Sequence, residues 1–341
     1  MRNCKLLRLY LVGAILGGTA CDTSAQTFES VGVRAQGMSG AFVAVSDDAT
    51  ASWWNPAGIA TGAYLSAVLE RGRTTEPVMP GPEGPAAITT SNDIALAFPA
   101  LGLSYYHFRI SEIVAPASTA AIAGNRQDPR SPGSVVRSVA LSQFGTTVGR
   151  SLGDYLVVGS TVKLVRAGAV SASASSSSPL DDADALDVSV QTRADLDVGV
   201  MANLGHLRLG LAVRNVTEPS FGDVAADILT LKRQARIGLA VLSVPHGALR
   251  GLIVAADADL TTTETAMGDV RHLASGVEGW LARGRLGLRA GVSANTVGAR
   301  RPAVSGGVSV ALTPAIHLNA SRTMGRDESV TGWSTSASVA F

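Results

Sequence analysis

Two pairs of carboxylates are the residues of this sequence whose type and spacing best suit chemistry. Asp195 and Asp197 lie two positions apart, and Asp257 and Asp259 have the same spacing. On a strand this spacing places both side chains of a pair on one face. Paired carboxylates can share general acid and base work, but on a strand they more often line a hydrated lumen. We therefore predict that these four residues are lumen-facing and that no residue is catalytic.

The five histidines point to no metal site. They are scattered one to a segment, and none has a second ligand at the spacing of a metal centre. The phosphate-cradling sequence G-x-x-x-x-G-K-[ST] is also missing. We expect no metal and no cofactor. An outer-membrane lipase, which brings a serine and a histidine together on a barrel wall, stays open because spacing alone cannot test it.

The composition suggests a chain that does not face water on all sides. Only 16% of the 341 residues are charged, whereas 46% are hydrophobic; soluble globular domains have ~25% charged residues. No run of bases or excess of positive charge indicates nucleic-acid binding. After residue 25 no apolar run reaches the ~18 residues that a membrane helix requires.

The first 25 residues have the order of a secretory signal peptide. Arg2, Lys5 and Arg8 precede a mostly apolar stretch, and small residues follow up to Ala25, after which we predict cleavage. A lipid-modified Cys21 is the alternative. Cleavage after Ala25 also removes Cys4, which leaves a mature chain without cysteine and therefore without the disulfides that an oxidising compartment permits.

From residue 63 onward the sequence alternates with period two. Residues 206–214 show it best, since every second residue is a large aliphatic one. This pattern predicts strands with two different faces. The fourteen predicted strands are 63–70, 92–98, 101–113, 134–150, 154–168, 185–201, 206–216, 232–243, 248–260, 270–282, 284–294, 302–312, 315–324 and 332–341.

The connections between these strands alternate between long and short, as in outer-membrane barrels with short periplasmic turns and longer outer loops. The predicted long connections include 71–91, 169–184 and 217–231, the last with one or two helical turns at 222–231. The fold class is therefore predicted to be all-β: a 14-stranded antiparallel transmembrane β-barrel with both termini periplasmic. A soluble secreted β protein is the alternative, because only 5% of the residues are aromatic.

The last strand supports the membrane interpretation. Trp333 and Phe341 share one face with small and aliphatic residues, whereas serines dominate the other. Aromatics near both ends of a lipid-facing strand suit the two membrane interfaces. A strand that ends in an aromatic residue resembles the C-terminal signal that the barrel-assembly machinery reads, so this machinery is an expected partner during biogenesis.

The glycine-rich stretch of residues 32–62 is different from the strands. Residues 42–45 suggest a short strand, and Ser46 or Asp47 can cap a short helix over residues 48–52. Asn55 can cap a second turn with Pro56 at its first position, where the missing N–H costs nothing. Judged by spacing alone, this stretch consists of two capped turns of a kind that any globular protein can contain.

The same stretch carries a family resemblance. It is similar to the N-terminal signature of FadL-type outer-membrane transport proteins and to that of PorV/PorQ-type barrel proteins, and the strands around residues 207–216 and 232–241 add weaker similarity. The predicted plug motif consists of the matching residues Gly37, Met38, Gly40, Asp47, Asp48, Asn55, Pro56, Ala57 and Gly58, and Ala41 and Ala49 also match.

The resemblance implies a monomeric barrel in the bacterial outer membrane whose N-terminal segment is a plug. The predicted organisation is therefore the signal peptide at 1–25, the plug at 26–62 and the barrel at 63–341. A FadL-type member moves hydrophobic small molecules, such as fatty acids or hydrocarbons, passively past the plug. A PorV-like member serves protein secretion or surface attachment, with secretion-system proteins as partners. Outer-membrane lipid is a partner in either case, and nucleic acid in neither.

Overall fold

A computed structural model describes residues 31–77, 85–114, 135–174, 178–223, 228–243, 251–265, 268–326 and 330–341. The predicted signal peptide, residues 1–25, lies outside the described residues. Most of the described chain is extended, and it forms one closed sheet. Among the described residues, no helix has the length and apolar character needed to cross a membrane.

Fourteen strands close into an antiparallel barrel, because the first strand pairs with the last. Ser66 pairs with Ala340 and Thr75 with Thr331, so the pairing runs along nearly the whole of both strands. The barrel strands are β1 (Ser66–Pro77), β2 (Pro85–Phe98), β3 (Leu101–Val114), β4 (Val135–Leu152), β5 (Leu156–Ser173), β6 (Gln191–Leu204), β7 (Leu207–Arg214), β10 (Gln234–Leu242), β11 (Leu252–Asp259), β14 (His272–Leu281), β15 (Leu286–Asn295), β16 (Ala303–Ala311), β17 (Ile316–Gly325) and β18 (Thr331–Ala340). The predicted fold class is confirmed.

The period-two pattern of the sequence becomes the two faces of this wall. Side chains such as Leu69, Ile94 and Leu239 are exposed on the outside, while their strand neighbours point into the lumen and are buried. The outward apolar side chains occur on every barrel strand, so they form a continuous belt. Closure leaves no unpaired strand edge, and it therefore satisfies the backbone groups at this belt without water.

Several connections differ from their predicted form. The prediction of a loop over 71–91 is wrong, because β1 continues to Pro77 and β2 begins at Pro85. β5 likewise extends to Ser173, and the predicted strand start at 185 is instead the end of a helix, α3 (Pro179–Ala185). The contrast between apolar outward and polar inward residues is lost in both places: Arg71, Arg73 and Thr75 occupy outward positions of β1, and residues 169–173 of β5 are mostly small or short polar ones.

Two connections contain small hairpins. β8 (Ser220–Phe221) pairs with β9 (Leu229–Thr230), and β12 (Thr263–Thr265) pairs with β13 (Gly268–Val270). The β8–β9 hairpin replaces the helical turns predicted at 222–231 in the described part of that range. Phe221 and Leu229 are fully buried, so the hairpin folds back over the barrel opening instead of extending into solvent.

Residues 31–62, here called the inner segment, lie inside the barrel. The segment contains helix α1 (Val33–Gly37), helix α2 (Ala51–Trp54) and a 3₁₀ turn (Pro56–Ala60); a second 3₁₀ turn, Ala282–Gly284, joins β14 to β15. The short strand predicted at 42–45 is wrong, since these residues form a turn closed by Val45 N–H to Phe42 O.

Candidate functional site: the inner segment and the lumen

The inner segment fills the lumen and is almost entirely buried. Trp53 and Trp54 have 1% and 0% of their surface exposed, and Phe42 also has 0% exposed. Phe42 and Trp54 meet edge to face, with ring centroids 5.9 Å apart. A stretch this rich in small and aromatic residues packs closely against itself and against the surrounding wall.

The Asn55–Gly58 part of the predicted plug motif forms a capped turn, as its sequence indicates. The Asn55 side chain accepts a hydrogen bond from Ala57 N–H at 3.2 Å, and Pro56 occupies the first position of the turn. Asn55 Nδ2 donates to Val43 O at 2.9 Å and to Val200 O on β6 at 3.2 Å. Asn55 therefore joins two parts of the inner segment to the wall.

Glycine is required at Gly58, because a Cβ there would lie 2.1 Å from the carbonyl oxygen of Ser46. At the other end of the motif, Gly40 has a φ of 84°, a conformation that disfavours other residues. Gly37 packs against Gly307 of β16, and Met38 packs against Gly276 and Gly291. These glycines let two backbones approach closely where side chains would separate them.

The acidic pair Asp47–Asp48 does not cap α2 in the predicted way. Thr50 is the N-cap residue of α2, without a side-chain cap bond, and Asp48 Oδ1 instead accepts a hydrogen bond from Thr50 N–H at 2.9 Å. Both aspartates point toward Arg34: its Nη1 lies 2.5 Å from Asp47 Oδ1 and 3.3 Å from Asp48 Oδ2. Their main role is thus to bind the guanidinium group of Arg34 within the inner segment.

Arg34 is the centre of an ion network between the segment and the wall. Its Nε and Nη2 donate to the two carboxylate oxygens of Glu278 at 2.7 and 2.8 Å. Arg289 Nε approaches the same carboxylate at 2.6 Å. Burial lowers the pKa of Arg34, but Asp47, Glu278 and Asp48 outweigh it, and the pKa is raised well above its ordinary value. Arg34 therefore remains charged and holds α1 to β14.

Wall carboxylates also bind the backbone of the segment. Glu70 accepts hydrogen bonds from Gly32 N–H and Val33 N–H, both at 2.7 Å. Asp257 accepts from Phe42 N–H and Val43 N–H at 2.8 and 2.7 Å. Each carboxylate thus satisfies two backbone donors that the short turns of the segment leave without a partner.

The structure separates the four lumen-facing candidates into three settings. Asp257 holds the segment, as described above. Asp259 accepts hydrogen bonds from Arg236 Nε at 2.6 Å and from His272 N–H at 2.8 Å. Asp195 and Asp197 both lie close to Lys163 Nζ, at 3.2 and 2.7 Å. Asp195, Asp197 and Asp257 are buried. Asp195, Asp197 and Asp259 are thus ion-pair partners of basic wall residues, whereas Asp257 binds backbone N–H groups.

The Lys163 group reaches the inner segment through Arg214, whose guanidinium carbon lies 3.4 Å from the ring centroid of Trp53. Arg214 Nε also lies 3.8 Å from Asp197 Oδ2. Sequence reasoning missed Lys163, Arg214, Glu70 and Glu278. The available signal was a charged residue at an inward position between outward aliphatic ones, as with Lys163 between Val162 and Leu164.

A belt of glycines on the inner face of the wall lies against the inner segment. A Cβ added at any of them would lie 2.0–3.2 Å from an atom of the inner segment. Several are cross-strand partners, such as Gly149 with Gly159, and Gly159 with Gly199. The belt consists of Gly102, Gly149, Gly159, Gly199, Gly210, Gly238, Gly276, Gly291 and Gly307. The wall is therefore shaped to fit the backbone of this segment.

We expect Gly291→Ala to loosen the inner segment, because the new Cβ would lie 2.4 Å from Met38 C and 2.6 Å from Ser39 N. Backbone atoms cannot rotate away as side chains can, so the segment must shift, at a cost of ~1–3 kcal/mol. Urea unfolding in detergent measures this cost. Gly306→Ala on the neighbouring strand is the control, since its nearest atom is 3.8 Å away; equal stability of the two variants would contradict the tight fit.

An apolar column lies between the inner segment and the long-connection end of the barrel. Trp53 begins it, with its ring centroid 5.0 Å from that of Tyr106 and 5.3 Å from that of Phe108. The β8–β9 hairpin covers the column at its long-connection end. The column consists of Trp53, Tyr106, Phe108, Ile110, Val139, Leu141, Val165, Ala167, Phe221, Leu229 and Leu231, which pack together as part of one buried cluster.

A serine–histidine pair occurs on the barrel wall: His107 Nδ1 of β3 lies 2.9 Å from Oγ of Ser142, its cross-strand partner on β4. The outer-membrane lipase alternative therefore stays open. No group of three or more potential metal ligands occurs among the residues that the structure describes. The sequence GRSLG, residues 149–153, matches G-x-S-x-G, but Ser151 is exposed at the end of β4 beside a short turn. A serine nucleophile of this motif requires a turn from a strand into a helix, and here β5 follows instead.

The sequence model of one protein family, described as "F plasmid transfer operon, TraF, protein", matches residues 84–259, just over half of the chain. The chain belongs to this family. The match covers β2 to β11, so it comprises most of the apolar column but not the inner segment. A comparison with functionally curated proteins gives no match.

Solved structures share the fold at low sequence identity. The CymD monoaromatic hydrocarbon channel aligns over 93% of this chain and 99% of its own, with a TM-score of 0.62 and 14% identity. The Ralstonia pickettii toluene transporter TbuX aligns over 92% and 98%, with a TM-score of 0.56 and 13% identity. A Pseudomonas aeruginosa FadL homologue aligns over 91% and 98%, with a TM-score of 0.55 and 12% identity. The chain therefore has the FadL-type barrel fold.

Proposed function

We propose that this protein is an outer-membrane channel for the passive transport of hydrophobic small molecules of the fatty-acid or hydrocarbon class. The inner segment acts as its plug. The observation that carries the proposal is the apolar column, which leads from the β8–β9 hairpin to Trp53 of the plug. Apolar and aromatic side chains inside a barrel exclude ions but offer a favourable path to an apolar solute.

The location follows from the outer surface. Exposed aliphatic side chains encircle the barrel, and a belt of this extent on a closed barrel fits the hydrocarbon core of a bilayer. The short connections, the start of β1 and the end of β18 lie at the same end of the strands, so we place that end in the periplasm and the long connections outside. The names of CymD and TbuX, which refer to hydrocarbons, support the substrate class.

In this proposal the solute enters from outside beside the β8–β9 hairpin, moves along the column and then displaces the plug. The energy for displacement comes from the interaction of the solute with the column, since a passive channel uses no other source. The proposal assigns no enzymatic activity to the chain. The alternative of a PorV-like role in secretion or surface attachment stays a prediction, as do the signal peptide and the barrel-assembly partner.

Uptake by whole cells tests the proposal. A strain that lacks this protein should take up labelled toluene, alkane or long-chain fatty acid more slowly than its parent, and the wild-type gene should restore the rate for at least one of these probes. Uptake of a labelled hydrophilic sugar serves as the control and should not change. Equal uptake of all three hydrophobic probes with and without the protein would overturn the proposal.

A further inference from the structure

The outer surface of the barrel carries an aligned basic row that the transport path does not use. Arg73 on β1 pairs in register with Trp333 on β18, and Trp333 pairs with Arg322 on β17. Cross-strand partners point to the same side of a sheet. All three side chains are exposed on the outer face, and Arg71 lies on the same face two residues from Arg73.

The charge of this row is not compensated by the described part of the chain. Arg71, Arg73 and Arg322 have no hydrogen-bond or ion-pair partner among the described residues. None of the outward positions of the described strand residues in β1, β2, β16, β17 and β18 is an aspartate or a glutamate. Three exposed guanidinium groups, beside neutral outward residues such as Asn92, Thr90 and Thr335, therefore present a local anion-binding surface.

The row lies where the apolar belt ends. β18 begins at Thr331, beside the long connection that precedes it, so Trp333 lies near the long-connection end of the strand. Tryptophan favours the boundary between hydrocarbon and headgroups, and arginine beside it can extend toward that boundary. The row is thus at the depth of lipid headgroups on the side that we place outside the cell.

An apolar groove adjoins the row. It lies across β16 and β17, has a volume of about 560 Å³, and is bordered by Val304, Val308, Met324 and Arg322. Gly306 pairs with Arg322 and lacks a side chain, so it leaves the floor of the groove open. Grooves that hold drug-sized ligands are of similar size, ~300–1,000 Å³, and an alkyl chain matches an apolar lining of this kind.

We propose that this surface is a binding site for a phosphorylated, multiply acylated lipid of the outer leaflet, with the chemistry of lipid A. The guanidinium groups of Arg73 and Arg322 bind its phosphates, Trp333 packs at the headgroup boundary, and one acyl chain occupies the groove over Gly306. Charge complementarity selects this occupant over an uncharged lipid. The inference uses the orientation in the proposed function but does not depend on which compound the channel transports.

The test measures lipid binding to the full-length protein in detergent, by native mass spectrometry and by titration with fluorescent bis-phosphorylated lipid A. We expect Arg73→Ala/Arg322→Ala to weaken lipid A binding by at least about tenfold, because two charge-assisted contacts are lost. Arg166→Ala is the matched control: Arg166 is exposed and outward on β5, between Ser142 and Thr192 rather than beside a tryptophan. Its binding should equal that of the wild type.

Two further measurements separate the phosphate from the acyl chain. Dephosphorylated lipid A should bind wild type as weakly as the double variant binds intact lipid A, and Gly306→Leu should weaken lipid A binding by filling the groove. Unchanged binding in the double variant, an equal loss in Arg166→Ala, or full competition by inorganic phosphate would each overturn the proposal. Uptake by the double variant should stay at the wild-type rate, so failure of the lipid site and failure of the transport function are distinguishable.

Discussion

Deletion of residues 28–60 will convert a sealed barrel into a water-filled pore. The deleted residues include nearly the whole inner segment, whose buried side chains occupy the lumen at the level of the glycine belt. Barrels of eight strands are filled by their own side chains, whereas barrels of 16–18 strands leave an aqueous channel. A 14-stranded wall with glycines and short polar residues facing inward cannot close that space by itself.

The wall should survive this deletion, because its strand pairing does not involve the segment. Removal of the segment exposes Glu70, Asp257 and Glu278 to water, which hydrates the charges that the segment now binds. Heat-modifiable migration of the deletion variant on gels will show whether the barrel has folded. The leak is measured as single-channel conductance in planar bilayers, where the wild type should be closed.

The conductance result bears directly on the plug. A folded deletion variant whose conductance equals that of the wild type would mean that other parts of the chain seal the lumen. The β8–β9 hairpin is then the first structure to consider, since Phe221 and Leu229 lie in the apolar column. A folded variant that conducts steadily shows that the inner segment is the seal.

The architecture of the wall could be predicted because it depends on the alternation of apolar and small or polar residues along each strand, which is a local property of the sequence. In β7, for example, Leu209 and Leu211 are exposed while Gly210 and Ala212 are buried, and this difference is visible in the sequence. A strand that spans a bilayer must repeat this contrast over many residues. Fourteen strands with this pattern, joined by alternately long and short connections, are compatible with few folds other than a barrel.

The ends of β1, β2 and β5 could not be predicted by the same argument. Thr74 and Thr90 are themselves polar and have polar residues on both sides in sequence. The difference between an apolar and a polar face therefore disappears there, although the backbone pairing of β1 with β2 continues. Beyond the belt both faces meet polar surroundings, and hydrogen bonds between strands alone extend the sheet. The β8–β9 hairpin has only two residues in each strand, too few to show any period.

The contacts of the site depend on closure of the barrel and were beyond local reasoning. Arg34 and Glu278 are 244 positions apart in sequence, and Asp257 binds backbone groups 214 and 215 positions away. The sequence did indicate that Asn55 and Pro56 form a capped turn, because that turn is made within four residues. Partners brought together only by fourteen paired strands have no such local signal.

Attachment of the inner segment to the wall by a disulfide will block transport if the plug must move. Ser39 of the segment and Ser305 of β16 have side-chain oxygens 2.7 Å apart. Two cysteines at these positions can reach the ~2.05 Å sulfur–sulfur distance with small shifts. The predicted mature chain has no cysteine of its own, so Ser39→Cys/Ser305→Cys will form a single defined bridge.

We expect the oxidised variant to lose nearly all uptake of the hydrophobic probe that wild type transports, and a reducing agent to restore it. The control is Ser321→Cys/Ser334→Cys, whose side-chain oxygens are 2.6 Å apart on β17 and β18. This bridge joins two wall strands and does not link the segment to either of them. The Ser334→Cys change removes the hydrogen bond that Ser334 Oγ donates to Gln36 Oε1 at 2.5 Å, but it does so in both redox states. Uptake by the control should therefore not depend on the redox state. Mass spectrometry after thiol alkylation confirms the bridge in both variants.

The comparison of the two bridges distinguishes plug movement from a general effect of oxidation. Ser39 lies between α1, which Arg34 and Glu278 hold to β14, and Phe42, whose N–H is bound by Asp257. A bridge here therefore fixes the part of the segment with the densest polar contacts to the wall. Wild-type uptake by the oxidised Ser39–Ser305 variant would mean that solute passes while this part stays in place, with displacement confined to residues 51–60 below the apolar column.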